Sequence, residues 1–311
     1  MTAKFALLSY RTDNLGDEIQ SIAARQFLPS VDLLVDRDDW MTSPSSADGV
    51  FKIILNGWFT HNPEKWPPPP LLHPLPISMH ITAERFRPTT LTAPSQTLLE
   101  GDSLEYLKRY TPIGGRDLWT ARLLQNHGVE SYFSGCLTLT LGADVNGPRG
   151  DYVCAVDLDD ETYRGLSGYT RTPILRLSHR DAGGGSFEQR CAAAGRLLSL
   201  YAHAKCVVTT RLHCAMPSIA FGTPTLFVNK ASDQYRLSGL IELVRSCSAE
   251  SLRNGEADFN FDKPTANSGA HLPLRESLVA RLQAFTGTSR RAFALTAPDL
   301  IAVDRQIEGI A

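Results

Sequence analysis

The chain has almost no excess of either charge. Its 31 Lys and Arg residues nearly balance 33 Asp and Glu, for a formal net charge of −2. That excludes bulk attraction to nucleic acid or to an anionic membrane surface. No apolar run approaches the ~20 residues that cross a bilayer. The six cysteines, Cys136, Cys154, Cys191, Cys206, Cys214 and Cys247, form no C-x-x-C pair. Several lie in apolar, strand-like runs, which fits reduced buried thiols and a cytoplasmic setting rather than a disulfide frame or a zinc site. No His/Asp/Glu cluster has ligand spacing, so no metal is expected. There is no G-x-G-x-x-G and no Walker A lysine, which excludes the dinucleotide and P-loop fingerprints. No repeat of solenoid period occurs. The opening MTAKFALLSY enters a strand pattern with no long apolar stretch and no cleavage site, so no secretion signal is expected.

What is present is an ordinary globular composition, 42% hydrophobic and 21% charged over 311 residues. That is long for one core and comfortable for two α/β units. The stretch Ala204–Asn229 organises the second of them. Cys206-Val207-Val208-Thr209-Thr210 reads as a buried strand. Arg211 and His213 follow at once. Cys214 to Phe221 reads as a short helix that Gly222 stops and Pro224 bars from returning, and Thr225 to Val228 reads as the next strand. In an open α/β sheet ligands bind at the carboxyl ends of strands, and a helix N-terminus there attracts anions. Arg211 and His213 are thus either an anion site or a solvated arginine and a packed first-turn histidine.

The first half repeats the theme. Lys4 to Tyr10 is a strand that meets Arg11-Thr12-Asp13-Asn14-Leu15-Gly16-Asp17-Glu18. Asn14 and Gly16 permit a tight turn, and Asp17 and Glu18 suit a first helical turn. Ile19, Ile22, Ala23 and Phe27 supply one apolar face, and Pro29 ends that helix. Asn14 and Asp17 are either ligand contacts or simple caps. Val31 to Val35 is the second strand. Phe51 to Leu55 is the third, ending in a turn at Asn56-Gly57-Trp58-Phe59. Trp58 there either stacks on a sugar ring or covers the core. Pro63 to Pro76, with prolines at 67 to 70, is expected as an extended surface loop, barred from a central strand. Ile77 to Ile81 is a short strand in which His80 points into the cleft or into the sheet. Leu98 to Tyr110 has helical spacing. Ile113-Gly114-Gly115-Arg116-Asp117 then forms a second strand-to-helix junction. Asp117 caps the helix Leu118–Asn126, and Arg116 either enters the site or pairs with Asp117.

Val129 to Phe133 is a strand, and the polar Gly142–Gly150 stretch reads as a linker. The pattern then restarts with strands at Asp151–Val156 and Ile174–Leu177, a short helix or turn at Asp159–Gly168, a loop at Asp181–Ser186, and a long helix at Phe187–Ala202. Asp233 to Arg236 is polar and can face the cleft. Residues from about Asn254 to Pro273 are turn-rich, and Leu274–Phe285 and Arg290–Ile310 read as closing helices. The expected architecture is α/β: two Rossmann-like domains facing across a cleft, residues 1–142 and 151–285, with a helical tail at 286–311.

Four segments together resemble the polysaccharide pyruvyl transferase family. They are Asn14-Leu15-Gly16-Asp17-Glu18, Gly115-Arg116-Asp117, Ser134-Gly135-Cys136-Leu137-Thr138-Leu139-Thr140-Leu141, and Thr210-Arg211-Leu212-His213 through Gly222-Thr223-Pro224. They follow the family's order over roughly Phe5 to Val228, and the Arg-Leu-His segment is the most specific. The resemblance implies a fold like that of GT-B glycosyltransferases. It implies an enzyme that moves a pyruvyl group from phosphoenolpyruvate, as donor substrate and without a cofactor, onto a sugar or glycan acceptor, lipid-linked ones included, to form a ketal. It assigns Arg211, His213 and Arg116 to the donor, with Leu212 beside them. Two stretches depart from the family where the acceptor belongs: Asn56-Gly57-Trp58-Phe59, and Ser78-Met79-His80, where members carry glycines.

The chemistry of such a donor matches these residue types. Two guanidiniums can grip a carboxylate and a phosphate. Ketal formation needs C3 protonated, C2 attacked by a hydroxyl, phosphate expelled and a second hydroxyl to close the ring. A histidine titrating near neutral pH suits the proton transfers, which points to His213. Asp17 and His80 are candidates for the base that activates the sugar. Two other readings share the pattern: a nucleotide-sugar glycosyltransferase, with Asp233 as its ribose ligand, and a non-catalytic glycan-binding relative.

Overall fold

The computed structural model describes residues 3–40, 49–85, 92–142, 149–181, 184–230 and 234–295. The core of the expected linker (143–148), part of the 181–186 loop, Asp233 and the tail beyond residue 295 lie outside them.

The first half runs β1 (Lys4–Ser9), α1 (Leu15–Arg25), β2 (Leu33–Asp36), β3 (Phe51–Phe59), β4 (Leu72–Ile81), α2 (Pro94–Thr97), α3 (Gly101–Arg109), β5 (Ile113–Gly115), α4 (Leu118–Asn126) and β6 (Ser131–Phe133). The second runs β7 (Val153–Val156), α5 (Asp160–Gly168), β8 (Ile174–Leu177), α6 (Phe187–His203), β9 (Cys206–Thr209), α7 (Leu212–Ala220), β10 (Thr225–Asn229), α8 (Gln234–Leu237), β11 (Arg245–Ser248), α9 (Ala249–Arg253) and α10 (Leu272–Thr286). The strands form a six-stranded sheet ordered β2-β1-β3-β4-β5-β6 and a five-stranded sheet ordered β11-β10-β9-β7-β8. Every pairing is parallel. All strands of a sheet therefore end at the same edge, which is where a ligand meets an α/β sheet. The short apolar runs β7, β9 and β10 are buried on both faces, as parallel strands covered by helices require.

Two expectations fail in β3 and β4. Asn56-Gly57 is not a turn: β3 continues through it to Phe59. The pairing with β4 slips between Leu55 and Gly57, where Gly57 has φ +123° and Ser78 of β4 φ +56°. Gly57 is needed because a Cβ there would meet Gln20 Oε1 at 3.2 Å. The prolines do enter a central strand, since Pro74 and Pro76 lie in β4 between β3 and β5. They are tolerated because β4 pairs with β5 only at Met79, leaving its first half bonded on the β3 side alone. Two prolines two residues apart place both missing N–H groups on one side of the strand.

The helix α1 is also not one-sided. Every residue from Leu15 to Ala24 is buried. Its apolar residues join a core cluster that takes in Phe5 and Leu7 of β1, Tyr201 of α6, Val207 of β9, Met216 and Ile219 of α7 and Phe227 of β10. One apolar core thus runs from the first sheet into the second. Separate clusters cover the outer faces of the first sheet and of the second. Burial on all sides obliges the polar residues of α1 to find partners. Ser21 donates to Leu8 O (2.6 Å), and Glu18 accepts from Arg190 Nε and Nη2 (2.7 and 3.0 Å) of α6.

At the C-terminus α10 forms as expected, closed by Gly287 at φ +70°. The helix expected from Arg290 does not begin there, as residues 290–295 are non-helical. Arg290 instead donates to Thr140 O (2.9 Å), and the Arg291 amide to Gln26 O (2.8 Å), so this strand of chain is tied to the first half.

Candidate active site

A cavity of about 740 Å³ opens where the carboxyl ends of both sheets meet. Its lining comes almost wholly from segments at or just past strand ends: Arg11–Asn14 after β1, Asp36–Asp39 at β2, Trp58, His61 and Asn62 at β3, Thr82 and Glu84 after β4, Arg116 after β5, His179 and Arg180 after β8, and Thr210–His213 after β9. The rim is closed by backbone bonds between the loops after β1 and β8. Leu15 N donates to His179 O (2.8 Å) and Asp181 N to Asp13 O (2.7 Å).

One end is cationic. Arg116 is 1% exposed and is the residue that the β5–α4 junction presents to the cavity. The junction is tight because it contains two glycines. A Cβ on Gly115 would come within 2.8 Å of Ala121 N, and one on Gly114 within 2.9 Å of Ser134 Cβ. Arg116 Nε lies 3.5 Å from Asp117 Oδ2, but Nε and Nη2 find no hydrogen-bond partner among the described residues. Burial lowers the guanidinium's affinity for its proton, Asp117 offsets this in part, and the Arg236 charge adds to the lowering. Asp117 is occupied elsewhere, capping α4 through Thr120 N (2.9 Å) and holding His80 Nδ1 at 2.7 Å.

Arg211 is the N-cap of α7. Its Nε donates to Asp157 Oδ2 (2.6 Å), so the side chain is oriented rather than solvated. Asp157 follows β7 with φ +53° and also accepts from Ser178 Oγ (2.6 Å) and His179 N (3.1 Å). It thereby sets both Arg211 and the start of the His179 loop. Beyond Arg211 the amides of Leu212 and His213 belong to the first turn of α7, which has no intrahelical acceptor for them.

His213 is partly exposed to the cavity, yet its Nε2 is covered and without a hydrogen-bond partner among the described residues. The expectation that it titrates near neutrality is not met in the free protein. Burial, then the charges of Arg116, His179, Arg236 and Arg211, push its pKa well below 6.5. His179, which sequence reasoning passed over, lines the same cavity and bonds Tyr201 Oη through Nε2 (2.9 Å). Burial brings it down to about 4, Asp157 opposing and Arg211 assisting.

Both imidazoles pack over Gly16. A Cβ on Gly16 would meet His213 Nδ1 at 3.1 Å, His179 Nδ1 at 3.2 Å and Asn14 Oδ1 at 3.1 Å. Gly16→Ala is therefore expected to leave the fold intact, since alanine favours a helix by about 1 kcal/mol. It shifts the two rings and lowers turnover by roughly 10–100-fold. Circular dichroism and a transfer assay on the same preparation check both halves of that expectation.

The other predicted positions divide. Asn14 caps α1 by accepting from Gly16 N (3.2 Å) and lines the cavity. Leu212 and Trp58 line it too, and Trp58 lies 4.7 Å from the His61 ring. Asp17 lines the cavity with its carboxylate engaged by Thr12 Oγ1 (2.7 Å), Gln20 Nε2 (3.3 Å) and Arg37 Nη1 (3.5 Å). Asn56 does not reach the wall: it is 1% exposed and donates to Gln20 O (3.2 Å), because β3 continues past it against α1. His80 does not line the cavity either. It is fully buried behind Arg116, bonded to Asp117, and held down to about 4 by burial and then by Arg116.

Among the described residues no group of three metal-ligating side chains exists, and no helix is long and apolar enough to cross a membrane. All six cysteines are free.

Two parallel sheets whose strand ends share one cavity, cationic at one end, define an α/β protein with its candidate site at the carboxyl ends of the strands. The chain belongs to the polysaccharide pyruvyl transferase family, whose model matches residues 14–230. Membership supports a pyruvyl transferase of polysaccharide biosynthesis. The crystal structure of an uncharacterized protein from Klebsiella pneumoniae subsp. pneumoniae is similar over 79% of this chain and 92% of that one, at 14% identity and a TM-score of 0.47. A structure of the wall teichoic acid polymerase TagF is similar over 99% of this chain and 90% of that one, at 10% identity and a TM-score of 0.38. No curated protein matches the chain.

Proposed function

We propose that the protein transfers the pyruvyl group of phosphoenolpyruvate to a sugar hydroxyl pair, forming a pyruvate ketal and releasing phosphate. On this reading the two sheets act as facing Rossmann-like domains of GT-B type, with the donor at the cationic end of the cavity. The observation that carries it is Arg116: a buried guanidinium with unpartnered nitrogens, in one cavity with Arg211 and with the covered, unpartnered Nε2 of His213. Buried polar groups are rarely left unbonded, and a guanidinium left so at the wall of a cavity can bond an anion there. A donor carrying a carboxylate and a phosphate needs two such grips.

The low proton affinity of His213 fits this donor. Burial is its first cause, and the charges of Arg116, His179, Arg236 and Arg211 add to it only while they are uncompensated. A carboxylate and a phosphate bring about three negative charges among them and reverse the local field. His213 then takes up a proton as the donor binds, and becomes the acid that protonates C3 or the departing phosphate. The acid is thus armed by its own substrate.

Calorimetric titration with phosphoenolpyruvate, in two buffers of different ionisation enthalpy at pH 7.5, tests this. Binding is expected with net proton uptake, up to about one per site. His213→Gln keeps most of the affinity and loses the uptake, and Arg211→Ala weakens binding at least ~100-fold. Binding of a nucleotide sugar with no heat from millimolar phosphoenolpyruvate would replace this reading with glycosyl transfer.

A further inference from the structure

Pyruvyl transfer needs a base for the acceptor hydroxyl, and both residues expected for it are unsuited. His80 is buried behind Arg116, and Asp17 is engaged by three donors. The loops after β2 and β3 supply another group. Arg37 is fully buried and donates to Asp38 Oδ2 from Nε (3.2 Å) and Nη2 (2.7 Å), with its guanidinium 4.8 Å from the Tyr10 ring. Asp38 Oδ1 accepts from Thr60 Oγ1 (2.5 Å) and from His61 N (2.8 Å). Asp38 Oδ2 lies 3.0 Å from His61 Nδ1. Burial tends to raise the Asp38 carboxyl, but Arg37 and His61 outweigh it and keep it ionised. An ionised carboxylate only accepts, so the Asp38 contact is a hydrogen bond in the His61 tautomer that carries its proton on Nδ1 and its lone pair on Nε2. Arg37 Nη2, 3.0 Å from the same Nδ1, already donates to Asp38. His61 and Trp58 both line the cavity that holds Arg116 and His213.

We propose that His61, oriented by Asp38, is the general base that removes the acceptor hydroxyl's proton, and that the acceptor is an uncharged pyranoside lying against Trp58. This rests on the pyruvyl-transfer reading. Asp36, Asp38 and Asp39 are paired with Arg11, Arg37 and Lys65 (3.0, 2.7 and 2.7 Å), so this wall is charge-balanced and suits an uncharged sugar, while the indole offers a face for the C–H groups of a pyranose ring. In the first step the hydroxyl proton passes to His61 Nε2, the sugar oxygen bonds to C2, and C3 takes a proton from the acid at the cationic end. The C2–O bond to phosphate then breaks, with its electron pair leaving on phosphate. The second hydroxyl bonds to C2 and closes the ketal. Its proton takes the route of the first once His61 has returned that proton to solvent. Over the whole reaction two hydroxyl protons are given up. One is balanced by the C3 methyl group and one by hydrogen phosphate.

The test measures phosphate release from phosphoenolpyruvate, with the methyl glycosides of glucose, galactose and mannose as acceptor probes. His61→Asn retains an N–H that can donate to Asp38 but has no base. Its kcat is expected to fall by 10²–10⁴. Its calorimetric affinity for phosphoenolpyruvate should stay within twofold of wild type. His61→Ala should regain part of its rate on addition of imidazole, and His61→Gln provides a second base-free variant should Asn disturb the loop. Transfer within twofold of wild type in His61→Asn and His61→Gln overturns the assignment. So does a loss of donor affinity that matches the loss of rate, since that is structural damage. A wild-type protein that binds phosphoenolpyruvate but releases phosphate with none of the probes overturns the acceptor class. One that does not bind phosphoenolpyruvate overturns the pyruvyl-transfer reading itself.

Discussion

Arg116→Met is expected to melt at a higher temperature than the wild type and to lose the proposed binding of phosphoenolpyruvate. Both outcomes have one cause. The guanidinium is 1% exposed, and its Nε and Nη2 have no hydrogen-bond partner among the described residues. Removing a charge from water costs several kcal/mol, and a single contact of 3.5 Å to Asp117 offsets only part of that. Its depressed proton affinity states the same cost in other terms: the folded protein disfavours the cation relative to the unfolded chain. Methionine has similar length, no charge and enough freedom to fill the space. Asp117 is not orphaned by the change, because Thr120 N and His80 Nδ1 still hold it. A gain of at least ~1 kcal/mol is expected, roughly 2 °C in melting temperature. Donor binding is expected to fall by about 10²–10⁴, since a buried anion left without its partner costs about 3–5 kcal/mol. Scanning calorimetry and a donor titration on one sample decide the matter. A variant that melts lower, or that still binds donor, removes Arg116 from the site. Stability given up at a residue that does no structural task is the usual signature of a functional group.

Much of this was legible in the chain, and the reason is local. β9 with the helix after it, the Asp117 cap and the Gly-Gly approach at 114–115 are all set by neighbours within a few residues. The Arg116 and Arg211 positions followed from one rule, that ligands meet parallel strands at their carboxyl ends. Applied to every strand, the same rule reaches His179 after β8, Asp157 after β7, Asp36–Asp39 at β2 and His61 after β3. What no rule of spacing supplies is direction and long-range pairing. His80 and Trp58 sit opposite one another in the β3–β4 register, yet only Trp58 lines the cavity. Asn56 is turned away because β3 continues where Asn-Gly suggested a turn. The prolines of β4 were misread because the length of pairing with β5 is a tertiary property. α1 shows one apolar face in sequence yet is buried all round, because its polar residues, Glu18 above all, have partners far along the chain.

Acid is expected to unfold this protein well before its surface carboxylates would. His80 and His179 are both buried and both held at about 4, against about 6.5 in an unfolded chain. An imidazole that resists protonation in the fold binds its proton only on unfolding. Stability is therefore full above about pH 6.5 and falls as the pH drops towards 4, below which these two groups cost nothing further. Each removes about 3 kcal/mol across that window. Together they approach the ~5–15 kcal/mol that separates folded from unfolded in a typical domain. His213, also held away from its proton, acts in the same direction. Asp117, ionised in its bond to His80, gives way only at lower pH, as its carboxyl is held below the usual range despite its burial. Urea titrations at pH 7.5, 6.5, 5.5 and 4.5 should show the midpoint falling only below about pH 6.5. The slope should approach 1.4 kcal/mol per pH unit for each imidazole, and His80→Gln should lower it by one proton. A midpoint that is flat between pH 7 and 5 would show that the imidazoles are not held neutral. Phosphoenolpyruvate separates the site from the core. By favouring the proton on His213 it should offset that group's share of the loss, while the shares of His80 and His179 remain. Burial, which no donor removes, makes the fold acid-sensitive at His80 and His179, and at His213 the proposed donor offsets only the part that the neighbouring charges add.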